Sequence, residues 1–222
     1  MSNKMMSYVD EELNRTEIGQ FVARNKVFVI SVIIAIFLGV ILWGVTSNMS
    51  EKQQQEMSQV VYDFEKNTFK QLEEKKIEGK DYVDKFANLL KVTGSYSGTL
   101  TLSIQSADLF IERGELNFAK EILEKSHNEL KGSNPFVAWF LNHRLAVVYE
   151  DSNDLENAVT YLKKMNSSSV KLLESKVYLD LGRIYLKMGK KEDAMINFKY
   201  VVDHFSDSNF AKIAKLYLND MN

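Results

Sequence analysis

Residues 182–198 read GRIYLKMGKKEDAMINF. A small residue opens the stretch (Gly182) and an aromatic follows three positions later (Tyr185). Then come a turn glycine (Gly189), an alanine (Ala194) and a large apolar residue (Phe198). The same order recurs twice upstream, in ADLFIERGELNFAKEIL (107–123) and AVVYEDSNDLENAVTYL (146–162). There the five positions are Ala107, Phe110, Gly114, Ala119 and Leu123, then Ala146, Tyr149, Asn153, Ala158 and Leu162. The alanines are 39 and 36 residues apart, a period that marks stacked supersecondary units.

Helix-hairpin packing explains why these residue types recur. Two antiparallel helices approach closely only where small side chains meet, and the aromatic and large apolar residues fill the space on either side. Gly or Asn at the turn supplies the left-handed backbone that ends the first helix. The expected core is therefore Phe110, Ala119, Leu123, Tyr149, Ala158, Leu162, Tyr185, Ala194 and Phe198. With a single proline (Pro135) and ten glycines in 222 residues, the chain suits long helices better than many short strands.

These residues resemble the tetratricopeptide repeat. In the third unit Tyr178, Leu181, Gly182, Tyr185, Gly189, Ala194 and Phe198 all stand where that motif wants them; the first two units carry Ser106-Ala107 and Leu145-Ala146 in place of Leu-Gly. No unit has the proline that usually ends the second helix, so Ser167–Ser169 and Ser206-Asp207 are expected to cap the helices that follow. Further helices are expected over about 50–77, 81–92 and 207–220. Met57, Val60, Val61, Phe64, Thr68 and Leu72 make one stripe of the first. That stripe either packs on Tyr82, Phe86 and Leu90 or forms a dimer seam. On the last helix Phe210, Ile213, Ala214 and Tyr217 are expected to close the solenoid.

Upstream of the repeats, Val27 to Val45 (VFVISVIIAIFLGVILWGV) carries no charge and is apolar all round. As a helix it would span about 28 Å, close to the hydrocarbon thickness of a bilayer. The long leader and the lack of a small-x-small cleavage site favour an uncleaved anchor over a signal peptide. Arg15, Arg24 and Lys26 flank it on the N-terminal side, against Lys52 alone on the other, and Trp43 suits the interfacial belt. The positive-inside rule then places the N-terminus in the cytoplasm and the large domain outside. In a bacterium this is a single-pass protein of the inner (cytoplasmic) membrane with a periplasmic C-terminal domain. The expected organisation is a leader at 1–26, a transmembrane signal anchor at 27–45 and juxtamembrane helices at 46–98. Tetratricopeptide-like repeats with a capping helix follow at 99–222. The fold class is all-α: an N-terminal transmembrane helix and a helical-hairpin solenoid.

This layout resembles the single-span, periplasmic, tetratricopeptide-like ancillary subunit of the bacterial Sec translocon. The likeness includes GQFVARNK (19–26) directly before the span, a loop with Tyr96 and Gly98, and NHRLAVVY (142–149) opening the second unit. The resemblance implies partners among Sec translocon subunits, periplasmic chaperones and exported chains. A structural factor that organises an envelope complex through its anchor and juxtamembrane helix is the alternative.

No catalytic constellation accompanies the repeats. Cysteine is absent, the histidines (His127, His143, His204) are scattered, and no P-loop, dinucleotide fingerprint or nucleophile elbow occurs. The 28 basic and 30 acidic residues are interspersed, which leaves no footprint for nucleic acid. The expectation is a non-enzyme without cofactor, metal or small-molecule substrate. Partner binding is expected on the concave face formed by the first helix of each unit. Helical spacing places Ile104, Asp108 and Ile111 there from the first unit and Phe140, His143, Val147 and Glu150 from the second; the third adds Lys176, Leu179, Arg183 and Leu186. With Lys176 and Arg183 as its only cations, that face suits a segment with apolar anchors. Otherwise these apolar residues pack between neighbouring units.

Overall fold

The computed structural model describes residues 50–221, and the chain from Glu56 onward forms one compact unit. The leader (1–26) and the apolar segment (27–45) lie outside the described residues. Among those described, no helix is long and apolar enough to cross a membrane.

The first helix, α1, runs through 50–64, a π turn at Glu65–Phe69 and a last turn at Lys70–Glu73. Eight more follow: α2 (Gly79–Thr93), α3 (Thr99–Glu112), α4 (Leu116–Leu130) and α5 (Pro135–Asp151). After them come α6 (Leu155–Asn166), α7 (Glu174–Lys187), α8 (Lys191–His204) and α9 (Asn209–Asp220). The tightest pairings are α3 with α4, α5 with α6 and α7 with α8, which are the three units read from the sequence. Each second helix packs on the next first helix, so the units stack.

The three turns share one backbone geometry. Gly114, Asn153 and Gly189 all have positive φ, at 73°, 59° and 74°. The amide after each donates back to the aromatic carbonyl: Glu115 to Phe110 and Asp154 to Tyr149 at 2.8 Å, Lys190 to Tyr185 at 2.9 Å. This Schellman pattern satisfies carbonyls that a helix end otherwise leaves unpaired. The nine expected core residues are all buried. At the closest approach in the third hairpin, a Cβ added to Gly182 would lie 2.6 Å from Phe198 Cε1.

The stripe on α1 packs inward. Phe64 meets Tyr82 and Phe86 edge-on at 5.7 and 6.0 Å, and Tyr82 in turn meets Phe110 of the first repeat at 5.9 Å. Tyr82 Oη and Ser106 Oγ share a buried hydrogen bond of 2.5 Å. The π turn inserts one extra residue per turn, which swings Phe69 into the core. A strict α-helical count had favoured its half-buried neighbour Thr68.

Several expected boundaries move. The expected helix over 50–77 stops at Glu73, because Lys75 takes a left-handed conformation and Arg113 Nη2 donates to the Leu72 carbonyl at 2.8 Å. Ser167–Ser169 do not cap α7; its N-cap is Leu173, and Ser168 Oγ accepts from Val170 N instead. Ser208, rather than Ser206-Asp207, caps α9 by accepting from Ala211 N at 3.1 Å. On α9 Ile213 is exposed, and Ala211 joins Ala214 at the buried interface, since only small side chains fit there.

Candidate functional site

Five of the expected concave-face residues converge. His143, Val147 and Glu150 of α5 and Lys176 and Arg183 of α7 line one cleft of about 50 Å³, with Ala146, Leu162, Asp180 and Ile184 completing it. Phe140 lies one turn before His143 and is exposed. His143 stacks on the buried Trp139 ring at 5.8 Å. Burial, and then the nearby Lys176 ammonium, push the His143 imidazole below its ordinary pKa, which favours the uncharged ring.

The charges of the cleft are paired with one another. Glu150 accepts from Arg183 Nη1 at 2.5 Å and Nη2 at 2.8 Å, and also from Lys187 Nζ. The two-pronged Arg183 contact holds the Glu150 carboxyl down at about 2, well below the carboxylate range. Lys176 Nζ bonds Asp180 at 2.5 Å, one turn along its own helix. On the neighbouring unit, Asp108 pairs with Arg144. Asp180, Lys187 and Arg144 were not singled out from the sequence, although the first two lie four residues after Lys176 and Arg183. That spacing signals a partner on the same helical face.

The remaining expected residues are placed differently. Leu179 is only 6% exposed and belongs to the core. Ile111 and Leu186 are half-buried against it, so these side chains serve packing between helices. Ile104 is half-buried on α3, outside the cleft lining. A wider hollow of about 690 Å³ lies between the α1–α2 loop and the α3–α4 turn. Its walls mix Lys75, Lys80 and Arg113 with Glu78, Glu112 and Glu115, and Arg113 is already committed to Leu72. Among the described residues, no group of His, Cys, Asp or Glu could hold a metal ion.

Stacked helical hairpins with a lined cleft between first helices of neighbouring units define a protein-interaction scaffold. The family model of the tetratricopeptide repeat-like domain matches residues 20–222, and the chain belongs to that family. No curated protein matches the chain.

Proposed function

We propose that the chain is a non-catalytic, membrane-anchored scaffold that serves protein export. In this reading Val27–Val45 is the anchor, the N-terminus is cytoplasmic and the repeats face the periplasm beside the Sec translocon and its chaperones. The observation that carries it is the joining of a charge-free nineteen-residue segment, flanked by Arg24 and Lys26, to a repeat domain with a lined cleft between α5 and α7. The resemblance of the whole layout to the translocon's ancillary subunit supplies the particular pathway. An assembly factor working through its juxtamembrane helix is less favoured, because Phe64 of that helix is engaged with Tyr82 and Phe86.

Crosslinking in intact membranes, followed by affinity purification of the full chain, tests the reading. Recovery of translocon subunits or periplasmic chaperones is expected. Recovery only of an unrelated envelope complex would contradict it. Protease added to spheroplasts should digest the repeat domain; protection until lysis would reverse the orientation.

A further inference from the structure

Helix α4 closes the first repeat and packs on α5, which opens the second. At that joint the His127 ring of α4 stands edge-on to Tyr161 of α6, with centroids 5.8 Å apart. Tyr161 stacks in turn on Tyr149 of α5 at 5.4 Å, so one aromatic row ties the three helices together. His127 is half-buried, and a phenylalanine would fill the same place without titrating.

The charges around the ring are cationic. Lys164 Nζ lies 4.2 Å from the centroid of Tyr161, the ring that His127 touches, and Lys131 stands one turn after His127 on α4. Glu124, one turn before it, is bonded by the Tyr149 hydroxyl. Asn142 of α5 faces the imidazole, and its Oδ1 is buried without an aligned donor. Helices α2 and α3 also pack on α4, and among the described residues they bring no charge to the ring. Burial, then Lys164, then Lys131 lower the imidazole from its ordinary pKa; Asn142 alone favours the charged form, and it contributes least.

Protonation therefore adds a positive charge beside two lysines, where hydration is reduced. Turning the ring out to water relieves both costs, but it breaks the contact with Tyr161 that joins the repeats. The sign follows from the lowered folded value. The contact's stabilisation is fully present above the ordinary 6.5 and is lost as the pH falls below it.

We propose that His127, set against Tyr161 and between Lys164 and Lys131, is an acid-sensitive joint that loosens the first repeat from the second when the ring takes a proton. This goes beyond the scaffold reading and depends neither on a role in export nor on the α5–α7 cleft.

Hydrogen exchange of the full-length chain in lipid nanodiscs tests it, read by mass spectrometry and corrected for the intrinsic dependence of exchange on pH. The pH range stays above about 4.3, so that Glu150 and the other carboxylates remain ionised. In the wild type, peptides from α4 should lose protection several-fold as the pH falls through about 6.5, while those from α8 should not. His127→Gln should remove this step. His143→Gln, at the ring that stacks on Trp139, should leave the step in α4 intact. Lys164→Glu, a change at an exposed position, should shrink it by giving the charged imidazole a partner. That variant also decides the matter if His127→Gln fails to fold. A step of undiminished size in His127→Gln or Lys164→Glu would overturn the proposal. So would equal loosening of α4 and α8, or no step in the wild type. The membrane crosslinking above reads the export pathway separately, so either proposal can fail while the other stands.

Discussion

Glu150 of the second repeat accepts both terminal nitrogens of Arg183 from the third, at 2.5 and 2.8 Å. The first helices of neighbouring repeats, α5 and α7, are thereby linked by one charge-assisted pair, and Lys187 adds a third donor to the same carboxylate.

That pair gives the domain an acid-sensitive seam. Because the Glu150 carboxyl is lowered to about 2, its stabilisation is fully present above its unfolded value of roughly 4.3 and disappears as pH falls toward about 2. Glu150→Gln should cost about 1–2 kcal/mol at neutral pH, below the range for fully buried pairs because solvent screens part of it. It should also flatten the loss of stability across that acid window. Urea melts at several pH values measure both effects; a parallel acid slope in the variant would sink the assignment.

Gly182 and Phe198 set the closest approach of the third hairpin. Gly182→Ala puts a methyl 2.6 Å from the Phe198 ring and should destabilise by about 1–3 kcal/mol, as should Ala194→Leu. Combining Gly182→Ala with Phe198→Leu should cost less than the sum of the two changes, since the smaller side chain removes the clash. Simple additivity in denaturant unfolding would argue against this packing.

Much of this was legible in the sequence for a physical reason. The turn residues Gly114, Asn153 and Gly189 and the buried Ala119, Ala158 and Ala194 are dictated by local backbone geometry and close approach, which leave a fixed spacing. Leu179 misled because a first helix in the middle of a solenoid has neighbours on several sides, so one apolar stripe does not separate groove from core. Phe69 escaped because the π turn breaks the 3.6-residue count. Leu173 could not be foreseen, since nothing in the residue itself asks for a left-handed backbone.

Tyr82 of α2 joins α1 and α2 to the first repeat through a fully buried ring and its bond to Ser106. Tyr82→Phe should cost about 1 kcal/mol, because Ser106 Oγ keeps its 2.7 Å bond to the Leu102 carbonyl. Tyr82→Ala should cost about 3–5 kcal/mol by emptying the aromatic cluster. If hydrogen exchange in α1 rises in the alanine variant while that of α8 does not, the two regions open separately; uniform loosening would indicate a single cooperative unit.

Burial, and then the Lys176 charge, lower the His143 pKa from its ordinary value. A lowered folded value means that stability is present above the unfolded pKa and declines as pH drops below it. An NMR titration of the His143 ring should show a midpoint under 6.5, and Lys176→Gln should raise it, since Lys176 contributes to the shift. A midpoint at or above 6.5 would mean that the ring stands in water rather than against Trp139.

The α5–α7 cleft as a partner site is tested most directly by photo-crosslinking from single positions of the full chain in intact membranes. A photoreactive residue at Val147, in the cleft lining, is compared with one at Ile196, exposed on the second helix of the third repeat. Discrete crosslinked products from Val147, weakened by Phe140→Ser and absent from Ile196, are the expected result. Equal products from both positions, or none from Val147, would contradict it.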